Sequence, residues 1–302
     1  ELRHSFPTRR SSDLFVDSVK SLCAVFALVL AGRRLPALSV TESRKYSELV
    51  MAVIAFYVFA NALLQYVEGV WVPGARLNPL FGQSKSVIFL ACLMASALVV
   101  FAWACVQMGS YMRMLLLTAF CFAVAVFFLQ SRSFFPVLGG GYFVLFLLFR
   151  KLIRFNLGFL LSVLALSSLL IFALHQFGVL QGLLVRGDSY RFEIWSGYHA
   201  LVTECGTLFG CGWGDKVGYI ANDGVAISHP HSMYVQHYYW GGIIGLILTM
   251  VVIFITLVQG YRHSLYLTWP LLAGAIALAF DGKGLITQPN ERWFLVLVPM
   301  TL

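Results

Sequence analysis

His231 is the residue in this chain best suited to take up a proton. It stands in Ser228-His229-Pro230-His231-Ser232, directly before a long apolar run. Pro230 suits the first turn of a helix, so the run predicts a membrane-spanning helix that opens near 231. The positive end of a helix disfavours further positive charge, and a neutral imidazole can accept a proton from a hydroxyl. The plain alternative is an interfacial histidine that only hydrogen-bonds the helix end. Three other places supply cations. Arg186 and Arg191 frame the stretch Arg186-Gly187-Asp188-Ser189-Tyr190-Arg191-Phe192-Glu193-Ile194-Trp195. A guanidinium grips phosphate oxygens through a planar fork; otherwise Arg191 pairs with Asp188 or Glu193, or anchors at lipid head groups. Arg132, in Gln130-Ser131-Arg132-Ser133, lies between two apolar runs. It must snorkel or point into a polar cavity. Arg76 sits in the re-entry loop Pro73-Gly74-Ala75-Arg76-Leu77-Asn78-Pro79-Leu80-Phe81-Gly82. No metal-ligand spacing occurs, so no metal is expected. The chemistry these residues suit is removal of a hydroxyl proton beside a cluster of phosphate-binding cations.

The elements that position them belong to a membrane. Of 302 residues, 60% are hydrophobic and only 11% charged, against about 25% charged in soluble domains. Mean hydropathy is +0.82. A water-soluble globular enzyme is excluded. The apolar residues form long runs that do not alternate, which argues for helices and against a β-barrel. The reading is an all-α, polytopic transmembrane helical bundle. A partial span runs about 18–31; full spans run about 48–70, 86–107, 112–130, 135–152, 156–178, 231–258 and 265–281; another starts near 292. Residues about 179–230 form one large extramembrane region, rich in glycine and acidic residues. Within it, Tyr190–Thr203 reads as a short amphipathic helix with Phe192, Trp195 and Tyr198 on one side.

Orientation follows from basic residues in short loops. Arg33, Arg34, Arg44, Lys45, Arg113, Arg150, Lys151, Arg154 and Arg262 fall on one side against Glu42 and Glu48, a net +7. On the other side, 8 basic residues meet 8 acidic ones. The first side is cytoplasmic, so the long loop and all the candidate residues face the periplasm or cell exterior. The overall charge of +8 follows from this bias and a basic tail and calls for no nucleic-acid partner. Cys23, Cys92, Cys105 and Cys121 lie in spans as small apolar residues. Cys205 and Cys211 lie in the outer loop, where a disulfide is feasible, although two unpaired small residues is the favoured reading. Residues 1–14 read as the translation of a sequencing-adapter oligonucleotide and are set aside. Residues 15–302 read as one transmembrane domain, cut at both ends.

Four of these stretches, in this order along the chain, resemble motifs of the O-antigen ligases. His231-Ser232, nine residues, then Gly242-Ile243-Ile244-Gly245 is similar to the family's His-(Asn/Ser/Gln)-x9-Gly-x-x-Gly pattern. Arg186–Trp195, followed by Phe209-Gly210-Cys211-Gly212-Trp213-Gly214, is similar to the stretch that precedes that histidine. Ser131-Arg132-Ser133 and Arg76-Leu77-Asn78-Pro79-Leu80-Phe81-Gly82 resemble its remaining two motifs, with Ser133 where glycine is more usual. The resemblance spans about residues 48–302, with fewer helices than the dozen the family typically has. It implies a GT-C-like, lipid-linked glycosyltransferase in the bacterial inner membrane, active at the periplasmic face. Such an enzyme moves finished O-antigen polysaccharide from undecaprenyl pyrophosphate to lipid A–core in lipopolysaccharide biosynthesis, with no metal and no cofactor. It implies His231 as catalytic residue and Arg132 and Arg191 as pyrophosphate ligands. Arg76, Arg186, Ser232 and Trp213 follow as substrate-binding residues. Gly242 and Gly245, one turn apart, are expected to admit a neighbouring helix and steady the histidine.

The nearest rival is an O-antigen or exopolysaccharide polymerase, with the same donor and a growing glycan as acceptor. A protein O-oligosaccharyltransferase is a third reading. A transporter or flippase would place ionisable residues deep in spans and break helices near the midplane. Here the cations gather at span ends, which disfavours it.

Overall fold

The computed structural model describes residues 39–72, 75–77, 87–131, 133–149, 165, 168, 172, 175–176, 190–212, 219–220, 226–227, 229–263 and 265–280. The expected spans at 18–31 and from 292, most of 156–178, and the tail 1–14 lie outside these residues. Helix α1 is Val40–Val67, α2 Val87–Gln107, and α3 Tyr111–Val124. The last passes without a break into a π-helical turn, Ala125–Leu129. Then come α4 (Phe134–Phe149), α5 (Arg191–Cys205), two short strands β1 (Tyr219–Ile220) and β2 (Ala226–Ile227), α6 (Met233–His263) and α7 (Leu265–Phe280). The strands pair antiparallel, Tyr219 opposite Ile227 and Ile220 opposite Ala226. Among the described residues, four helices are long and apolar enough to cross a membrane. The chain is an all-α polytopic membrane protein.

Helix α1 starts eight residues before the expected 48. Polar residues open it because Ser39 and Glu42 form a capping box. The Ser39 hydroxyl accepts from the Glu42 N–H at 3.2 Å, and the Glu42 carboxylate accepts from the Ser39 N–H at 2.9 Å. Helix α2 is the hub. It is apolar all round, and a helix of that kind is stable only when enclosed. Phe89, Met94, Leu98 and Phe101 are fully buried, and α1, α3, α4 and α7 pack around it.

The ends alternate as an up-and-down bundle requires. Arg44 Nη1, in the first turns of α1, meets Met108 Sδ just past α2 at 3.9 Å. At the opposite ends, the Leu77 N–H donates to the Phe128 carbonyl at 2.9 Å. This sorts Arg44 and Arg113 to one end and Arg76 and the turn after α3 to the other, as the loop charges predicted.

Helix α6 is broken. Gly242 has φ 59° and ψ −152° inside it, a region essentially reserved for glycine. A break frees backbone groups, and in a membrane protein each must find a partner. The turn 206–212 supplies them. Cys211 and Gly212 N–H groups donate to the Tyr239 and Trp240 carbonyls at 2.8 and 3.0 Å. Ile243 and Ile244 N–H groups donate to the Thr207 and Leu208 carbonyls at 3.0 and 3.4 Å. A Cβ on Gly242 would run into those same two carbonyls, and one on Gly210 into the backbone at Tyr239 and Gly242. This corrects the expectation for the Gly-x-x-Gly pair. Gly242 admits a loop into the helix, not a neighbouring helix along its side. The crowding at Gly245 is likewise internal, against the His237 carbonyl. The turn is closed by a disulfide between Cys205 and Cys211, Cα atoms 4.9 Å apart, so the favoured reading of two unpaired cysteines is also corrected. Helix α5 and the Gly242 break bring the two thiols together, and a gap in sequence carries no information about either.

Candidate functional site

Three non-glycine residues among those described hold a left-handed backbone: Gln130 (φ 45°), Tyr190 (φ 59°) and His231 (φ 51°). Each belongs to one of the stretches that sequence alone singled out. Left-handed φ in a non-glycine residue costs of order 1–3 kcal/mol and gathers at functional sites.

Gln130 ends the π turn of α3. One extra residue per turn lets the helix overshoot, a device frequent at functional sites. The chain then reverses through Ser131 and Ser133, both buried, before α4 opens at Phe134. Arg132, between these two serines in the sequence, lies outside the described residues. The Ser131 hydroxyl is buried with no hydrogen-bond partner among the described residues. Arg76 is brought to the same place. Trp71 stacks on Phe128 with centroids 5.8 Å apart, and its indole N–H donates to the Ala75 carbonyl at 2.9 Å. With the Leu77–Phe128 bond, this holds the exposed Arg76 against the end of α3.

Tyr190 turns the chain into α5, which Arg191 opens. The buried stripe of α5 is Ile194, Tyr198 and Val202, at helical spacing. Phe192 points outward, 69% exposed, so the expected face of Phe192, Trp195 and Tyr198 is corrected. Tyr198 packs edge-on to Tyr239 of α6 at 5.3 Å. Its hydroxyl donates to the Ile227 carbonyl of β2 at 3.0 Å. Burial pushes that hydroxyl up to about 12, so it remains a donor at any physiological pH. A further tie runs to the histidine turn: Trp195 Nε1 donates to the Pro230 carbonyl at 3.0 Å. The arginine at the start of α5 and the histidine before α6 are thereby mounted on one unit.

His231 itself is not in the helix. Helix α6 begins at Met233, two residues later than expected, because a left-handed residue cannot continue a right-handed helix. Ser232 is the cap. It is buried, its carbonyl accepts the first helical bond from the Gln236 N–H at 2.9 Å, and its hydroxyl makes a long contact of 3.5 Å with the Val235 N–H. The left-handed turn swings the His231 ring back over His229, with ring centroids 4.0 Å apart. Met233, immediately after, is fully buried in the same core as Leu129 and Phe134, which flank the Ser131–Ser133 reversal. So the structure joins the helix that Arg191 opens to the turn that holds His231 and ties the Arg76 segment to the end of α3; the Arg191 helix packs with Tyr239 in a small cluster of its own, while Met233 and Leu77 share the main core with Leu129 and Phe134. Arg186 and Trp213 lie outside the described residues.

Sequence reasoning missed Trp195 as the strut and His229 as the ring beside His231, and weighed the bridged turn without favouring it. The close His-x-His spacing and the paired Cys205 and Cys211 were the available signals. The described residues mount the helix that Arg191 opens on the turn that holds His231; an imidazole can take up a proton and a guanidinium can bind phosphate oxygens.

No family model and no solved structure matches the chain. The chain is similar to the O-antigen ligase of Pseudomonas aeruginosa, 29% identical over 123 residues, a match that takes in 39% of this chain and 30% of that protein's length.

Proposed function

We propose that the protein is a membrane glycosyltransferase that joins O-antigen polysaccharide, carried on undecaprenyl pyrophosphate, to lipid A–core at the periplasmic face of the inner membrane, without metal or cofactor. The observation that carries this reading is the hydrogen bond from Trp195 to the Pro230 carbonyl, which docks the helix of Arg191 onto the turn of His231. The similarity to an O-antigen ligase and the order of the motifs support it.

The donor already carries a good leaving group. The protein must place the acceptor hydroxyl, take its proton and receive charge on the departing pyrophosphate. In the proposed step the acceptor oxygen attacks the anomeric carbon and its proton passes to His231. The bond from that carbon to the pyrophosphate oxygen breaks, and its electron pair leaves with the phosphate. Arg191 and Arg132 bind the diphosphate through charge-assisted forks. Arg76, Arg186 and Trp213 contribute to substrate binding. Ser232 does so by fixing the turn that presents His231. A single displacement inverts the anomeric centre.

The test is the lipopolysaccharide banding of a ligase-deficient host that expresses the protein. Restored ladders of polysaccharide on lipid A–core support the ligase reading. Longer glycans left unattached would assign the protein as a polymerase, and substrate movement with no new glycosidic bond would assign it as a transporter.

A further inference from the structure

Helix α6 divides at Gly242 into two segments of different character. Residues 243–258 carry no charged side chain and would extend about 24 Å at 1.5 Å per residue, close to the roughly 30 Å hydrocarbon layer. Residues 233–240 hold Tyr234, His237, Tyr238, Tyr239 and Trp240, the aromatic composition of a membrane–water interface. The break therefore falls at the edge of the apolar layer, and the bridged turn 206–212 is hydrogen-bonded into it. The tip of that turn, Thr207-Leu208-Phe209-Gly210, carries no charge. Leu208 is 52% exposed and Phe209 70%. Beside them on α6, Ile243, Ile244, Ile247 and Leu248 are also exposed, the surface of a spanning helix that faces lipid.

From this continuity we infer that the Cys205–Cys211 turn is a membrane wedge, with Leu208 and Phe209 lodged among the acyl chains just beneath the head groups. The turn is suited to it. Four of its backbone groups, the Thr207 and Leu208 carbonyls and the Cys211 and Gly212 N–H groups, are paired to α6, which lowers the cost of burial in lipid, and the disulfide restrains the tip. The wedge also sets the depth of α5, which runs directly into it. Arg191 opens the other end of that helix; its role rests on the proposed function, and the wedge itself does not.

The test places the photo-reactive residue p-benzoylphenylalanine at position 209, and separately at 208, in the protein reconstituted in phosphatidylethanolamine/phosphatidylglycerol nanodiscs. Position 247 serves as the lipid-facing reference and position 204, exposed on α5, as the reference outside lipid. After irradiation, mass spectrometry is expected to find phospholipid adducts at 247 and at 208 or 209, with none at 204. Adducts at 247 but at neither 208 nor 209, whether those positions cross-link to protein or to nothing, would overturn the wedge. The assay needs no sugar donor and no transfer, so its failure leaves the ligase reading untouched, and failure of the ligase reading leaves the wedge untouched.

Discussion

The ring of His231 owes its position to a backbone that few side chains accept. Asparagine tolerates left-handed φ and cannot serve as the base. His231→Asn is therefore expected to keep the thermal unfolding midpoint in detergent close to wild type while transfer falls by about 100-fold or more. A β-branched residue is excluded from that conformation, so His231→Val should in addition destabilise the turn by about 1–2 kcal/mol, read in the same melt. Trp195 acts through the Pro230 carbonyl. Trp195→Phe removes one hydrogen bond worth about 1 kcal/mol and loosens Arg191 from His231, so the transfer rate should fall more than donor affinity does. Arg191→Lys keeps the charge and loses the fork. It is expected to weaken binding of a labelled lipid-linked donor by about 10-fold; unchanged binding would argue against a diphosphate clamp at Arg191.

At the scale of elements, the broken α6 and the bridged turn stand or fall together. Gly242→Ala forces a Cβ against the Thr207 and Leu208 carbonyls in a glycine-only conformation, and should destabilise by about 2–3 kcal/mol. The Cys205→Ser, Cys211→Ser double variant releases a seven-residue loop, worth about 2 kcal/mol on the loop-closure estimate. Its turn 206–212 should become the first site of limited proteolysis. These elements also mark where the sequence was readable. The spans over 87–107 and 265–280 were legible within a residue or so, because an apolar run has few alternatives to a helix in a membrane. The early start of α1 was not, because a capping box at Ser39 and Glu42 sits among polar residues that hydropathy discounts. Gly242 was misread because a small residue at helical spacing suits close helix contact as well as a break. Only the partner loop, which lies thirty residues earlier in the chain, distinguishes the two. The histidine turn was placed to within two residues; the left-handed φ that moved His231 out of the helix accompanies its ring contact with His229 and the bond from Trp195 to the Pro230 carbonyl, neither of which composition encodes.

On the scale of the whole molecule, one apolar hub organises everything else. Helix α2 is enclosed by α1, α3, α4 and α7, and the core it anchors continues to Met233 beside the histidine turn and to Leu129 and Phe134 beside the Ser131–Ser133 reversal. Arg76, Arg191 and His231 come from segments far apart in sequence; the fold sets the Arg76 segment at the end of α3 and mounts the Arg191 helix on the turn of His231. The charge bias of the loops made the alternation of ends legible, since Arg44 and Arg113 share one end and Arg76 shares the other with the turn after α3. The direct meeting of α5 with the turn before α6 was not, because it rests on a side-chain-to-backbone bond that composition does not encode. The central claim is that the Arg191 helix and the His231 turn form a single transfer site. It is tested most directly by single-turnover transfer from a labelled undecaprenyl-pyrophosphate glycan to lipid A–core, measured for His231→Asn and Arg191→Lys alone and together. Residues that act as one unit give non-additive losses, so the double variant is expected to be scarcely worse than the poorer single one. Losses that multiply, or singles that transfer at the wild-type rate, would contradict it.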